Sequence, residues 1–145
     1  MRKNKFDDVN KQIAVYIVSA QIASDAGKGI FELNIGHLTR CPKHFGYQMK
    51  SWYLLQAINL IRKNQTDFHY WISEIEGDQN GFPSLITYFD FPIEGKRYQT
   101  SFHTPLNQVP PEMMEMTGSG RKTRWRKNHE SSRKVCERLI SHYHL

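Results

Sequence analysis

Cysteine is scarce in this chain of 145 residues, and long hydrophobic runs are missing. Cys41 and Cys136 lie far apart in sequence and cannot build the dense disulfide framework of a small secreted protein, so we expect reduced thiols. The longest apolar run, residues 13–23, is too short to span a bilayer, and no small-residue cleavage site follows it. The sequence therefore predicts a cytoplasmic protein that does not associate with a membrane.

Recognisable functional signatures are missing as well. We find no diagnostic catalytic motif, no internal repeat, no helix-turn-helix spacing, no aromatic RRM signature and no zinc-finger ligand set. Nothing in the sequence predicts a cofactor. Hydrophobic residues nevertheless make up 39% of the chain and aromatic residues 12%, which is enough to bury a core in a single domain covering residues 1–145.

Hydrophobic periodicity predicts an α+β fold built as one two-layer domain. Helical spacing predicts helices over about 8–25 and 47–62, and a last helix that opens at Ser131 or Ser132. Alternating aromatic and β-branched residues between 68 and 104 predict a three-stranded antiparallel meander with turns at 77–81 and 92–96. Residues 30–35 fit either a short strand or a helical turn.

Positive charge is concentrated at the C-terminal end. Residues 1–120 hold twelve basic and twelve acidic side chains, whereas residues 121–145 hold eight basic side chains against two acidic ones. The excess begins in a glycine-punctuated basic loop at 118–130 that leads into the last helix. Such clustered charge is typical of proteins that meet a phosphate-rich or acidic partner.

The basic segment predicts a nucleic-acid-binding surface. Its cations can neutralise phosphates, and Trp125 in their midst offers a flat ring for stacking on a base. An equally weighted interpretation is that Trp125 anchors the loop to the core and the charges are merely solvated. The predicted binding residues are Arg121, Lys122, Arg124, Trp125, Arg126, Lys127, Lys134 and Arg138.

A second hypothesis follows from the predicted hairpin. If Phe91 pairs with Tyr98, then Phe89 and Phe102 share their face, and alternate residues form an opposite, polar face. A histidine, a carboxylate and hydroxyls on one patch can support metal-independent cleavage of RNA, with Arg97 or Arg126 holding the phosphate. A solvated outer face of an antiparallel sheet would look the same. The catalytic candidates are His103, Ser101, Asp90 and Tyr88, with Gln99 beside them.

A metal site is the weakest of the candidate sites. His37, Cys41 and His44 follow the spacing H-x3-C-x2-H, and Cys136, His142 or His144 would have to complete the set. This is not the spacing of a standard zinc finger or ribbon, so no metal is predicted.

An interaction with protein is the remaining alternative. Small size, one basic end and the missing catalytic motif also fit an inhibitor or adaptor of the phage or mobile-element type, such as an anti-CRISPR protein, that binds nucleic-acid-handling machinery. The sequence leaves open the partner, the choice between DNA and RNA, and the oligomeric state.

Overall fold

The computed structural model confirms the predicted α+β order of two helices, three strands and a C-terminal helix. Helices α1 (Asp7–Ser24) and α2 (Tyr47–Lys63) precede strands β1 (His69–Ile75), β2 (Ser84–Ile93) and β3 (Lys96–Pro105), and the short helix α3 (Pro111–Met114) and helix α4 (Ser132–Tyr143) follow. The structure describes residues 7–25, 28, 31–33, 47–75, 83–122, 124 and 130–145.

Two of the sequence predictions fall partly or wholly outside these residues. Residues 31–33 are in neither a helix nor a strand, and the rest of the 30–35 segment lies outside the described residues. The predicted turn at 77–81 also lies outside them.

Helix α1 is mostly buried, because its apolar residues are not confined to one stripe. Ile13, Val15, Ile17 and Val18 have no exposed surface, and the helix packs against α2 and α4. In the described part of the chain, no helix is both long and apolar enough to cross a membrane.

A two-residue turn joins β2 to β3 and fixes the register of the sheet. Glu94 and Gly95 both have positive φ, 52° and 79°, which is the type I′ geometry that matches the twist of antiparallel strands. Ile93 therefore pairs with Lys96, and the predicted pair of Phe91 and Tyr98 is confirmed. The three strands follow each other in the order β1-β2-β3, all antiparallel.

One face of the sheet, which we call the helix face, belongs to the core. Phe89 and Phe91 on β2 are fully buried, and Phe102 on β3 is 3% exposed. Phe91 stacks on Phe68 with ring centroids 5.0 Å apart, and Phe89 meets Phe102 edge to face at 6.2 Å. Each such ring contributes about 1.5–3 kcal/mol through its burial, so this face accounts for much of the stability of the sheet.

Helix α4 closes the core from the C-terminal side. Ser131 caps its first turn, and its hydroxyl accepts a hydrogen bond from the Lys134 amide at 3.3 Å. Ser131 is one of the two residues at which the sequence predicts this helix to begin. Val135, Cys136 and Leu139 are buried on its inner side. Burial raises the pKa of the Cys136 thiol, which therefore stays protonated and serves as a small apolar residue.

A buried cation joins the helix layer to the edge of the sheet. Lys50 on α2 is 7% exposed, and its Nζ donates a hydrogen bond to the backbone oxygen of His103 at 2.5 Å. Desolvation lowers the pKa of this amine from 10.5 to about 8, with the charge of Asp25 acting in the opposite direction.

Candidate nucleic-acid interface

The second face of the sheet, which we call the strap face, carries cross-strand rows of side chains. Cross-strand partners share a face, so the register of the two ladders determines the rows. The three rows that hold the candidate residues are His69–Asp90–Gln99, Trp71–Tyr88–Ser101 and Ser73–Ile86–His103.

A segment from the basic loop lies along the outer edge of β1. The Gly118 amide donates to the Ile72 oxygen at 2.8 Å, and the Ile72 amide donates to the Ser119 oxygen at 3.3 Å. Gly120 then forms an antiparallel bridge with Trp71. We call residues 118–122 and 124 the basic strap.

Gly120 must be a glycine for the strap to approach β1 so closely. A Cβ atom at this position would lie 2.1 Å from the Tyr70 oxygen, and its φ of +95° is in a region that other residues rarely adopt. Gly118 also has a positive φ, +81°, but a Cβ atom there would meet nothing within 4 Å. The two glycines therefore have different roles: both allow the turn, and only Gly120 allows the close contact.

The basic strap then runs over the strap face towards β3. Lys122 places its Nζ 5.8 Å from the centre of the Trp71 ring, on β1. Two residues later, the Arg124 oxygen accepts a hydrogen bond from Gln99 Nε2, on β3, at 2.8 Å. Since β2 lies between these two strands, the strap spans the width of the sheet, with its backbone bound at both ends.

The cations of the basic strap differ from Arg138 on helix α4. Arg121, Lys122 and Arg124 are exposed, and none of them pairs with a carboxylate among the described residues. Arg138, one of the predicted binding residues, forms two hydrogen bonds of 2.6 Å to the carboxylate of Glu130. The positive charge of Arg138 is therefore largely offset, whereas that of the strap is not.

Among the other predicted binding residues, the structure describes only Lys134. Lys134 is exposed on the first turn of α4. Trp125, Arg126 and Lys127 lie outside the described residues.

The first row of the strap face forms a hydrogen-bonded polar cluster. Asp90 is 7% exposed and accepts bonds from Arg97 Nε at 2.6 Å and from Gln99 Nε2 at 2.8 Å. Arg97 also forms a salt bridge with Asp90 and places its Nη2 3.2 Å from His69 Nδ1. The cluster therefore links all three strands beneath the strap.

His69 is the member of this cluster that sequence reasoning missed. A guanidinium group can only donate, so His69 Nδ1 must accept, and the ring proton resides on Nε2. Desolvation and the nearby charges of Arg97 and Arg121 lower the pKa of His69, outweighing Asp90 and Asp67. The imidazole is consequently neutral at pH 7 and presents an N–H donor at its free side.

The predicted ribonuclease residues occupy all three rows. Tyr88 pairs with Ser101 in the second row, and His103 is exposed in the third. Asp90 lies two rows from His103, a separation of roughly 13 Å at two residues per row. The structure thus brings Tyr88, Ser101 and His103 together and places Asp90 with Arg97 and His69.

Metal ligands do not cluster in the described part of the chain: no group of three or more histidine, cysteine, aspartate or glutamate side chains there could hold an ion. Cys136, one of the candidates for completing the set of metal ligands, is buried in the core. His37, Cys41 and His44 lie outside the described residues.

Comparisons with protein-family models, with curated proteins and with solved structures each gave no match for this chain.

Proposed function

We propose that this protein is a non-enzymatic nucleic-acid-binding protein that holds the phosphate backbone with its basic strap. The observation that carries the proposal is the charge of the strap. Arg121, Lys122 and Arg124 lie close together, are exposed and have no carboxylate partner among the described residues. Uncompensated surface cations of this kind attract phosphates and release their condensed counterions on binding.

The anchoring of the strap supports the same proposal. Its backbone is bound to Ile72 on one side of the sheet and to Gln99 on the other. A cationic segment held in this way loses less conformational entropy when it binds than a free loop would lose. The strap is thus a prearranged surface.

The hydrogen bonding of the strap face favours binding over cleavage. Asp90, one of the predicted catalytic residues, is bound by Arg97 and Gln99 and lies two rows away from His103, the predicted catalytic histidine. His69 carries its proton on Nε2, so the nitrogen that faces away from Arg97 donates and cannot abstract a proton from a ribose hydroxyl.

Charge reversal on the strap tests the proposal. We expect the double variant Arg121→Glu/Arg124→Glu to lose roughly 10-fold to 100-fold in affinity for labelled single- or double-stranded DNA or RNA. The slope of log affinity against log salt should also fall by about 0.7–0.9 for each phosphate contact removed. Gel resolution of the probes in the same assay reports any cleavage.

A matched control changes the net charge equally at other exposed sites. Lys28→Glu/Lys96→Glu alters two exposed lysines outside the strap, and Lys96 precedes Tyr98 on the opposite face of β3. If both double variants lose the same affinity, attraction is general and the strap is not the site. If the native protein binds no probe at low salt, the proposal is wrong, and an acidic protein surface becomes the partner to seek.

A further inference from the structure

A cavity of about 320 Å³ opens at the start of β1, between the end of α2 and the basic strap. Its polar lining includes Gln65, His69 and Arg121, and Phe68 and Tyr70 form part of its apolar wall. The volume lies at the lower end of the range of ligand sites, roughly 300–1,000 Å³. Arg121 belongs both to the lining of the cavity and to the basic strap, so the cavity continues the charged surface of the strap.

Two side chains in the polar lining of the cavity are hydrogen-bond donors, and its two amide side chains carry both donors and acceptors. Arg121 is exposed and offers a guanidinium group, and His69 offers the N–H of Nε2 because its Nδ1 faces Arg97. Thr66 does not compete for a ligand, since its hydroxyl is bound to the backbone of Phe68, with bonds of 3.1 and 3.2 Å. Two donors that line one cavity from different segments of the chain suit the oxygens of an anion.

The charge of the cavity indicates which anion it fits. Arg97 is neutralised by Asp90, so it adds no net charge to the site. Neutral His69 adds none at pH 7, because burial and the two arginines lower its pKa. Arg121 alone therefore gives the cavity a charge of about +1, which matches the single negative charge of a phosphodiester better than a doubly charged terminal phosphate.

We propose that this cavity binds one phosphodiester group of a nucleic-acid strand, with Arg121 and the Nε2–H of His69 donating to its two free oxygens. The inference rests on the proposed function, because it assigns a specific phosphate position to the strand that the strap holds. Arg97 and Asp90 act as positioning residues: they fix the tautomer of His69, so that its donor faces the cavity.

Dimethyl phosphate, a phosphodiester without a base or sugar, tests the cavity directly. We expect it to shift the ¹⁵N resonance of His69 Nε2 along a saturable single-site curve, while the uncharged trimethyl phosphate leaves the resonance in place. Arg121→Gln should weaken this binding about tenfold or more, since it removes a charged donor. A linear, unsaturated shift, or an identical curve in Arg121→Gln, would overturn the assignment.

Two variants of His69 extend the test to nucleic acid. His69→Gln retains an N–H donor on a side chain of similar reach, whereas His69→Ala removes it. We expect His69→Ala to weaken binding of a single-stranded oligonucleotide several-fold and His69→Gln to retain most of the affinity. The loss should be equal for 5′-hydroxyl and 5′-phosphorylated strands, and a loss confined to the phosphorylated strand would assign the cavity to a terminal phosphate instead.

The two proposals fail in different ways. If strap charge reversal abolishes nucleic-acid binding while neither dimethyl phosphate nor the His69 variants have any effect, the cavity assignment is wrong and the proposed function stands. If the native protein binds no nucleic acid, both are wrong, even where dimethyl phosphate shifts His69.

Discussion

The two faces of the sheet are made by alternate residues of the same three strands, yet they are closed in different ways. The helix face is covered by side chains, with Phe89, Phe91 and Phe102 packed among buried aromatic and aliphatic groups. The strap face is crossed by backbone, and its contacts are hydrogen bonds and ion pairs around Asp90. The comparison indicates that burial of one face stabilises the fold, whereas the other face lies beneath a segment with exposed cations.

Removal of an aromatic ring from the helix face should have the largest effect. Phe89→Ala leaves a cavity at a fully buried position and should lower the free energy of unfolding by about 3–5 kcal/mol. Denaturant titration measures this loss. Molecules that remain folded should still bind nucleic acid with native affinity, because Phe89 lies on the face opposite the strap. A folded variant that fails to bind would mean that the two faces are coupled.

The buried cation Lys50, in contrast to the exposed cations of the strap, gives the next effect. Lys50 is buried, and its pKa falls from 10.5 to about 8, so between these values the unfolded chain binds more protons than the folded chain. The free energy of unfolding should therefore rise with pH across this window, by up to about 3 kcal/mol more than in Lys50→Met. Chemical denaturation at pH 7.5, 9 and 10.5 measures the difference, and parallel curves for the two proteins would contradict it.

The smallest expected effect is the difference in stability between alanine variants of the two glycines of the strap. Gly120→Ala meets the Tyr70 oxygen and a positive φ, whereas Gly118→Ala meets only the positive φ. We expect a cost of about 1 kcal/mol at Gly118 and about 1–3 kcal/mol more at Gly120, with weaker nucleic-acid binding only in the latter. Equal losses at the two positions would mean that close contact with β1 is not what fixes the strap.

Local patterns in the sequence were sufficient to predict most of the fold. The spacing of apolar residues located the helices, and the turn at Glu94 and Gly95 fixed the pairing of Phe91 with Tyr98, because both determinants act over a few residues. The cap at Ser131 was predictable for the same reason.

The site was only partly predictable, because its geometry depends on distant contacts. The basic pattern of the sequence predicts Arg121, Lys122 and Arg124 as binding residues, but their path over the sheet depends on pairing with Ile72, which lies more than forty residues earlier. His69 was missed because its position beside Asp90 depends on the register of β1, and the predicted turn did not specify that register.

The pairing of the strap with β1 also bears on how copies of the protein meet one another. The Ile72 amide and oxygen point away from the sheet, and both are already bonded, to Ser119 and Gly118. An edge strand whose backbone groups are unoccupied is a template on which another chain can add a strand and begin to aggregate. The segment that presents the cations therefore also blocks this edge, and any change that releases it should favour intermolecular strand addition at high protein concentration.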